Sequence, residues 1–197
     1  MNNALNIPRN LNAANIDEAI NDYLELLNQI PVSINAGNVL ELLSKIKRHK
    51  INNGPYPHVT LFEAANRIMT DLTILYGVKD LLNGRLKDLK FDQYKVEFGN
   101  ENHNDHDIMA SNESEELIGE AFNVAETFFQ VKKTSSLRKL RKSGGQAKIL
   151  LLMYNSDAVK DLYKPEILHN EYYLPVKIIL PEKMQGLSYN MPSSANE

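Results

Sequence analysis

Residues 147–155 read AKILLLMYN, with no polar side chain between Ile149 and Tyr154. A strand with one wet face shows polar residues at every second position. A strand-length run without them is covered on both faces, the habit of parallel strands in a sheet flanked by helices. A helix to help cover it precedes it, because residues 125–142, AETFFQVKKTSSLRKLRK, carry a helical pattern closed by Ser143, Gly144 and Gly145.

Upstream, the period of the apolar residues changes along the chain. In 16–30, IDEAINDYLELLNQI, the positions Ile16, Ile20, Tyr23, Leu24, Leu27 and Ile30 have helical spacing, ended by Pro31. GNVLELLSKIKRHK predicts a second short helix that stops at the loop NNGPYP. The longest helix is expected in HVTLFEAANRIMTDLTILYGVKDLL, ending at Asn83-Gly84. FDQYKVEF then reads as a strand, and DIMA and ELIGEAFNV as two more, joined through the polar SNESEE as an antiparallel hairpin. Beyond AKILLLMYN the pattern predicts a short helix around SDAVKDLY, a strand in PVKIILP and a frayed end at SSANE. The expected fold is α/β (α+β), a mixed sheet flanked by helices. A helical segment, 1–56, packs on a core at 57–197 within one structural domain, a size that 197 residues suit.

Composition narrows the chemistry. There are no cysteines, so disulfides, thiolate metal sites and a cysteine nucleophile are excluded. The Asn-rich beginning lacks the apolar core of a signal peptide and no apolar run reaches the roughly 20 residues that span a bilayer, so the expectation is a cytoplasmic protein without a membrane partner. The net charge of −3 hides a local excess, since no acid lies between Glu126 and Asp157 while Lys132, Lys133, Arg138, Lys139, Arg141, Lys142 and Lys148 all do. Such a patch is suited to phosphate backbone, although the helix C-terminal dipole favours the same cations.

Two carboxylates stand inside strand patterns. The period of two puts Ile118, Glu120, Phe122 and Val124 on one face of ELIGEAFNV, so Glu120 lies among large apolar side chains. Asp107 opens the preceding strand, and antiparallel pairing brings it toward Glu120. Ionised groups withdrawn from water need partners. A buried base would serve one of them; together, two hard oxygen ligands suit Mg²⁺, which takes one or two carboxylates and completes its shell with water and phosphate oxygens.

The order of helix, three strands, helix and strand, with Asp107 followed by Glu120, resembles the PD-(D/E)XK nuclease superfamily, which includes many type II restriction endonucleases. The resemblance covers about residues 57–155. It implies a restriction-endonuclease-like core, Mg²⁺ held by Asp107 and Glu120, and a lysine two residues after the glutamate that positions or activates the attacking water. It also implies a helix glutamate joining the site, for which Glu63 is in the matching place. The chain departs from the pattern at that lysine, because EAF puts Phe122 there. Some members supply the amine from the following helix, where Lys133 falls inside the stripe of Phe129, Leu137 and Leu140 and Lys132 lies near its border, with Gln130 one turn earlier. Both lysines have an alternative use, snorkelling to solvent or binding backbone phosphate.

The implied activity is a Mg²⁺-dependent endodeoxyribonuclease acting on double-stranded DNA as a homodimer, with Lys132, Arg138, Lys139, Arg141 and Lys142 as DNA contacts. The alternatives are a non-catalytic DNA-binding or assembly protein with a nuclease-like sheet, and a purely structural protein in which the acids coincide by chance. ENHNDHD, with Glu101, His103, Asp105, His106 and Asp107, admits a histidine-carboxylate metal cluster but also a polar hairpin tip. No P-loop and no G-x-S-x-G elbow occurs, which sets aside those phosphate- and ester-hydrolysing mechanisms.

Overall fold

A computed structural model describes residues 6–31, 33–99, 104–144, 148–160, 163–166, 168 and 170–179. Its elements run β1 (Asn10–Asn12), α1 (Ile16–Leu27), α2 (Val39–Arg48), α3 (Leu61–Leu82), β2 (Gln93–Val96), β3 (Ile108–Ser111), β4 (Glu116–Phe122), α4 (Glu126–Gly144), β5 (Ile149–Asn155), a 3-10 turn at Ser156–Ala158, and β6 (Glu171–Val176). The strands form one mixed sheet in the order β1-β2-β3-β4-β5-β6, antiparallel through β4 and parallel from β4 to β6. Helices lie on both sides.

The apolar run of β5 is explained by its place in this sheet. Leu151 and Met153 enter the core formed with α1 and α3, while Leu150, Leu152 and Tyr154 pack under α4 with Phe129, Leu137 and Leu140. A close approach is built into α3 at Gly77, where a Cβ would lie 2.5 Å from Met153 Sδ. The Thr60 side chain starts α3 by accepting the Glu63 N–H at 3.2 Å, and Asn38 starts α2 by accepting from Glu41 at 2.9 Å.

Four details differ from the sequence-based expectation. The N-terminal segment is not wholly helical, because β1 pairs with β2 and sends Leu11 into the core. The strand expected from Phe91 to Phe98 is shortened to β2, with Phe91 and Phe98 buried outside the ladder. SDAVKDLY holds only the 3-10 turn among its described residues, 161 and 162 lying outside them. The last strand is EYYLPV rather than PVKIILP; it alternates Glu171 and Tyr173 toward α4 with Tyr172, Leu174 and Val176 toward α3, and its proline is tolerated on a sheet edge. SSANE falls outside the described residues.

Candidate functional site

The β3–β4 register decides where the carboxylates go. Ile108 pairs with Gly119, so one step outward Asp107 stands opposite Glu120, on the sheet face that α4 covers. Asp107 is pinned at both ends: its carbonyl accepts from Glu97 N–H at 2.9 Å, and its Oδ2 accepts from Ala121 N–H at 2.9 Å. The side chain thus takes over a ladder bond at the strand end. Glu97 comes next in the same row, on β2's continuation, with Oε2 accepting from Asn104 N–H at 2.7 Å. Sequence reasoning passed over Glu97, although period two in QYKVEF places Gln93, Lys95 and Glu97 together on the face away from Tyr94 and Val96.

Glu120 is buried, and its Oε1 receives two partners. His106 Nδ1 lies 2.9 Å away and Lys139 Nζ 2.7 Å away. Because a carboxylate offers only acceptors, Nδ1 carries the proton. His106, itself buried, is therefore a neighbour of Glu120. Burial and then the charge of Glu120 push the Asp107 carboxyl up to about 6, partly offset by the Ala121 N–H, Lys139 and Lys132. Both ammonium groups accordingly lie within electrostatic reach of Asp107.

The helix phase differs from expectation. Lys133 does not turn to the acids; its Nζ is 3.1 Å from Tyr163 Oη and 5.6 Å from that ring's centre. Lys139, one of the expected phosphate contacts, is the amine that reaches them. The reason is that α4 lies over both β4 and β5, so its apolar stripe seats Phe129, Leu137 and Leu140 on the β5 side while the edge bearing Lys132 and Lys139 overhangs β3 and β4. Gln130 lines a separate hollow with Phe129 and Tyr163. Phe122, in the place of the strand lysine, stacks on Tyr154 with ring centres 6.1 Å apart.

The remaining residues are dispersed. Glu63 stays at the first turn of α3, engaged with Arg67, and no contact with Asp107 or Glu120 forms. Arg141 is held by buried Glu171, through Nε at 2.6 Å and a second guanidinium nitrogen at 3.1 Å. Burial works to raise the Glu171 pKa, but the Arg141 and Tyr173 hydrogen bonds outweigh it and hold the carboxyl below its usual range. Arg138 and Lys142 are exposed. The basic segment therefore has two faces: Lys132 and Lys139 toward the carboxylates, and Lys133 and Arg141 toward β6 and its neighbouring loop.

Asp107 and Glu120, not a closed cage, are what the site offers a cation: among the described residues no three His, Cys, Asp or Glu side chains are grouped to hold a metal ion. Of the ENHNDHD cluster, Glu101 and His103 lie outside the described residues. Facing acids that repel one another, with ammonium groups beside them, give the site hard oxygen donors and a means of holding phosphate or water. No helix among the described residues is long and apolar enough to cross a membrane. Comparison with family models, curated proteins and solved structures found no match for the chain.

Proposed function

We propose that the protein is a Mg²⁺-dependent endodeoxyribonuclease of the PD-(D/E)XK kind, cutting double-stranded DNA as a homodimer. The observation that carries this reading is Asp107 opposite Glu120 on adjacent antiparallel strands, with Lys139 on the same carboxylate. Mg²⁺ fits the donor set because it needs few protein ligands. When bound, the ion supplies Lewis acidity and lowers the pKa of coordinated water. Asp107 and Glu120 would hold it, and the backbone bonds at both ends of Asp107 fix its carboxylate. Lys139 is the amine we assign to orienting the water or steadying charge at the phosphate, in the role first expected of Lys133 or Lys132. Lys132 lies along the entering strand. Glu63 has no part unless its bond to Arg67 opens.

Supercoiled plasmid incubated with and without Mg²⁺ tests this directly. Nicking or linearisation is expected only with the ion, and its loss in Glu120→Gln at unchanged circular dichroism. Wild-type rates in that variant would sink the assignment. A non-catalytic DNA-binding domain is the second reading, favoured by Phe122 at the lysine position and by a Glu120 already paired with His106 and Lys139. Under it, DNA binds and no strand is cut at any Mg²⁺ concentration.

A further inference from the structure

The two sides of the sheet are covered unequally. On one, Leu11, Tyr94, Val96 and Ile108 pack with α1 and α3 across the antiparallel half. On the other, α4 packs chiefly over β4 and β5, and the described residues leave β1, β2 and much of β3 uncovered. There lies a hollow of about 400 Å³ lined by Asn10, Gln93, Lys95, Met109, Ser111 and Lys148 among others. Lys95 pairs with Asn10 on one side and Met109 on the other, and two residues farther along these strands come Glu97 and Asp107. The hollow thus begins about 7 Å from the carboxylate row.

We infer that this uncovered half-sheet seats a DNA strand leading into Asp107 and Glu120, with Lys95 on a phosphate and the Asn10 and Gln93 amides on base edges. The inference rests on the nuclease reading for its choice of partner. Three features favour that occupant. Asparagine is disfavoured in strands, yet both outward positions of β1, Asn10 and Asn12, carry one, and the Asn10 and Gln93 amides are exposed with no partner among the described residues. Such amides present a donor and an acceptor side by side, the pattern that matches adenine. The charge is complementary: Lys95 stands on the face, Lys132 and Lys139 border the carboxylates from α4, and the acid at the far end, Glu116, is neutralised by Lys148 at 3.0 Å. Lys95 Nζ also lies 3.0 Å from Asn104 Oδ1, beside the bond from Asn104 N–H to Glu97, which holds it near the carboxylate end of the face.

The test uses the whole 197-residue chain carrying Glu120→Gln, the variant expected not to cut, with fluorescein-labelled duplexes drawn from a randomised pool. Adding Lys95→Ala is expected to weaken binding tenfold or more and to lower the slope of log K against log salt by about one. Asn10→Ala and Gln93→Ala are expected to leave the slope alone and to relax the preference for A·T at one or two positions, while Arg48→Ala on α2 changes neither. Unaltered affinity, slope and preference in all three face variants would overturn the inference. If the wild-type chain cuts DNA but the face variants cut with its affinity and preference, the inference fails and the nuclease reading stands. If DNA binds with the expected dependence on Lys95 yet is never cut, the reverse holds.

Discussion

A carboxylate in a β-ladder is tolerable when something answers its charge, and here the answers are uneven. Glu120 has His106 and Lys139, whereas Asp107 is pushed up to about 6 by burial and then by the charge of Glu120, against the opposing pull of the Ala121 N–H. The folded state therefore binds this proton more tightly than the unfolded chain does. Its contribution is full below pH 3.8 and is lost as the pH climbs through about 6. Asp107→Asn keeps an acceptor for Ala121 and removes the repulsion, so at pH 8 it should raise stability by about 1 kcal/mol, with a smaller gain at pH 4. Urea titrations at the two pH values check this; a loss of stability at pH 8 would mean that the charge is better compensated than these contacts provide. At the same scale, Lys139→Ala should slow single-turnover cleavage by roughly a hundredfold with little change in DNA affinity, and Lys133→Ala should not. Equal rates for wild type and Lys139→Ala would remove the amine from the chemistry.

Elements are held by pairs that composition alone does not reveal. Arg141 reads as a DNA contact among other cations, but it closes α4 onto β6 through Glu171, a group almost without exposure. Removing the guanidinium strands a buried acid, so Arg141→Ala should cost about 3 kcal/mol while barely altering the salt dependence of DNA binding. Thermal melts and anisotropy on the same sample separate the two effects. A second element-scale constraint lies in β4 itself. Gly119 faces Ile108 and β5, and a Cβ there would come within 3.2 Å of the Leu151 carbonyl oxygen and 3.3 Å of Ile108 Cβ. Gly119→Val should destabilise by about 1–3 kcal/mol and misplace Glu120 beside it. Retained stability together with wild-type cleavage would argue against so rigid a strand.

Across the molecule, one buried group joins the N-terminal helices to the sheet. Asp71 on α3 accepts from Tyr23 of α1 at 2.5 Å, from Tyr56 of the loop before α3, and from Gly99 N–H at 3.0 Å just beyond β2. Gly99 has φ +63°, and Tyr56 fills the space a Cβ would need. Burial raises the Asp71 pKa to about 6 against these donors. The described part of the segment 1–56 is thus bound into the core by β1 and by Tyr23 and Tyr56 on Asp71. Asp71→Ala leaves buried donors unanswered and should cost about 3 kcal/mol or more. Deletion of residues 1–30 should give a chain that no longer unfolds in a single cooperative step. A cooperative truncated protein, followed by denaturant melts at two probes, would count against that coupling.

Much was legible in the sequence because it depended on local period. The helical spacing of Ile16, Ile20 and Tyr23, the alternation around Glu120, and the unbroken apolar run of β5 each report how many faces of an element are covered. Polar Asp107 and Glu120 stood out against those patterns and were expected to meet. What the sequence could not supply were quantities set between elements. The rotation of α4 over the sheet gives Lys139 to Glu120 and Lys133 to Tyr163, although Lys133 is the one that falls inside the apolar stripe. His106 reaches Glu120 only through the hairpin register, and the three residues of β1 are too few to show a period at all. Local chemistry determines the elements and their apolar faces; side-chain partners depend on shifts of a few ångströms and tens of degrees between elements, and only tertiary packing fixes those.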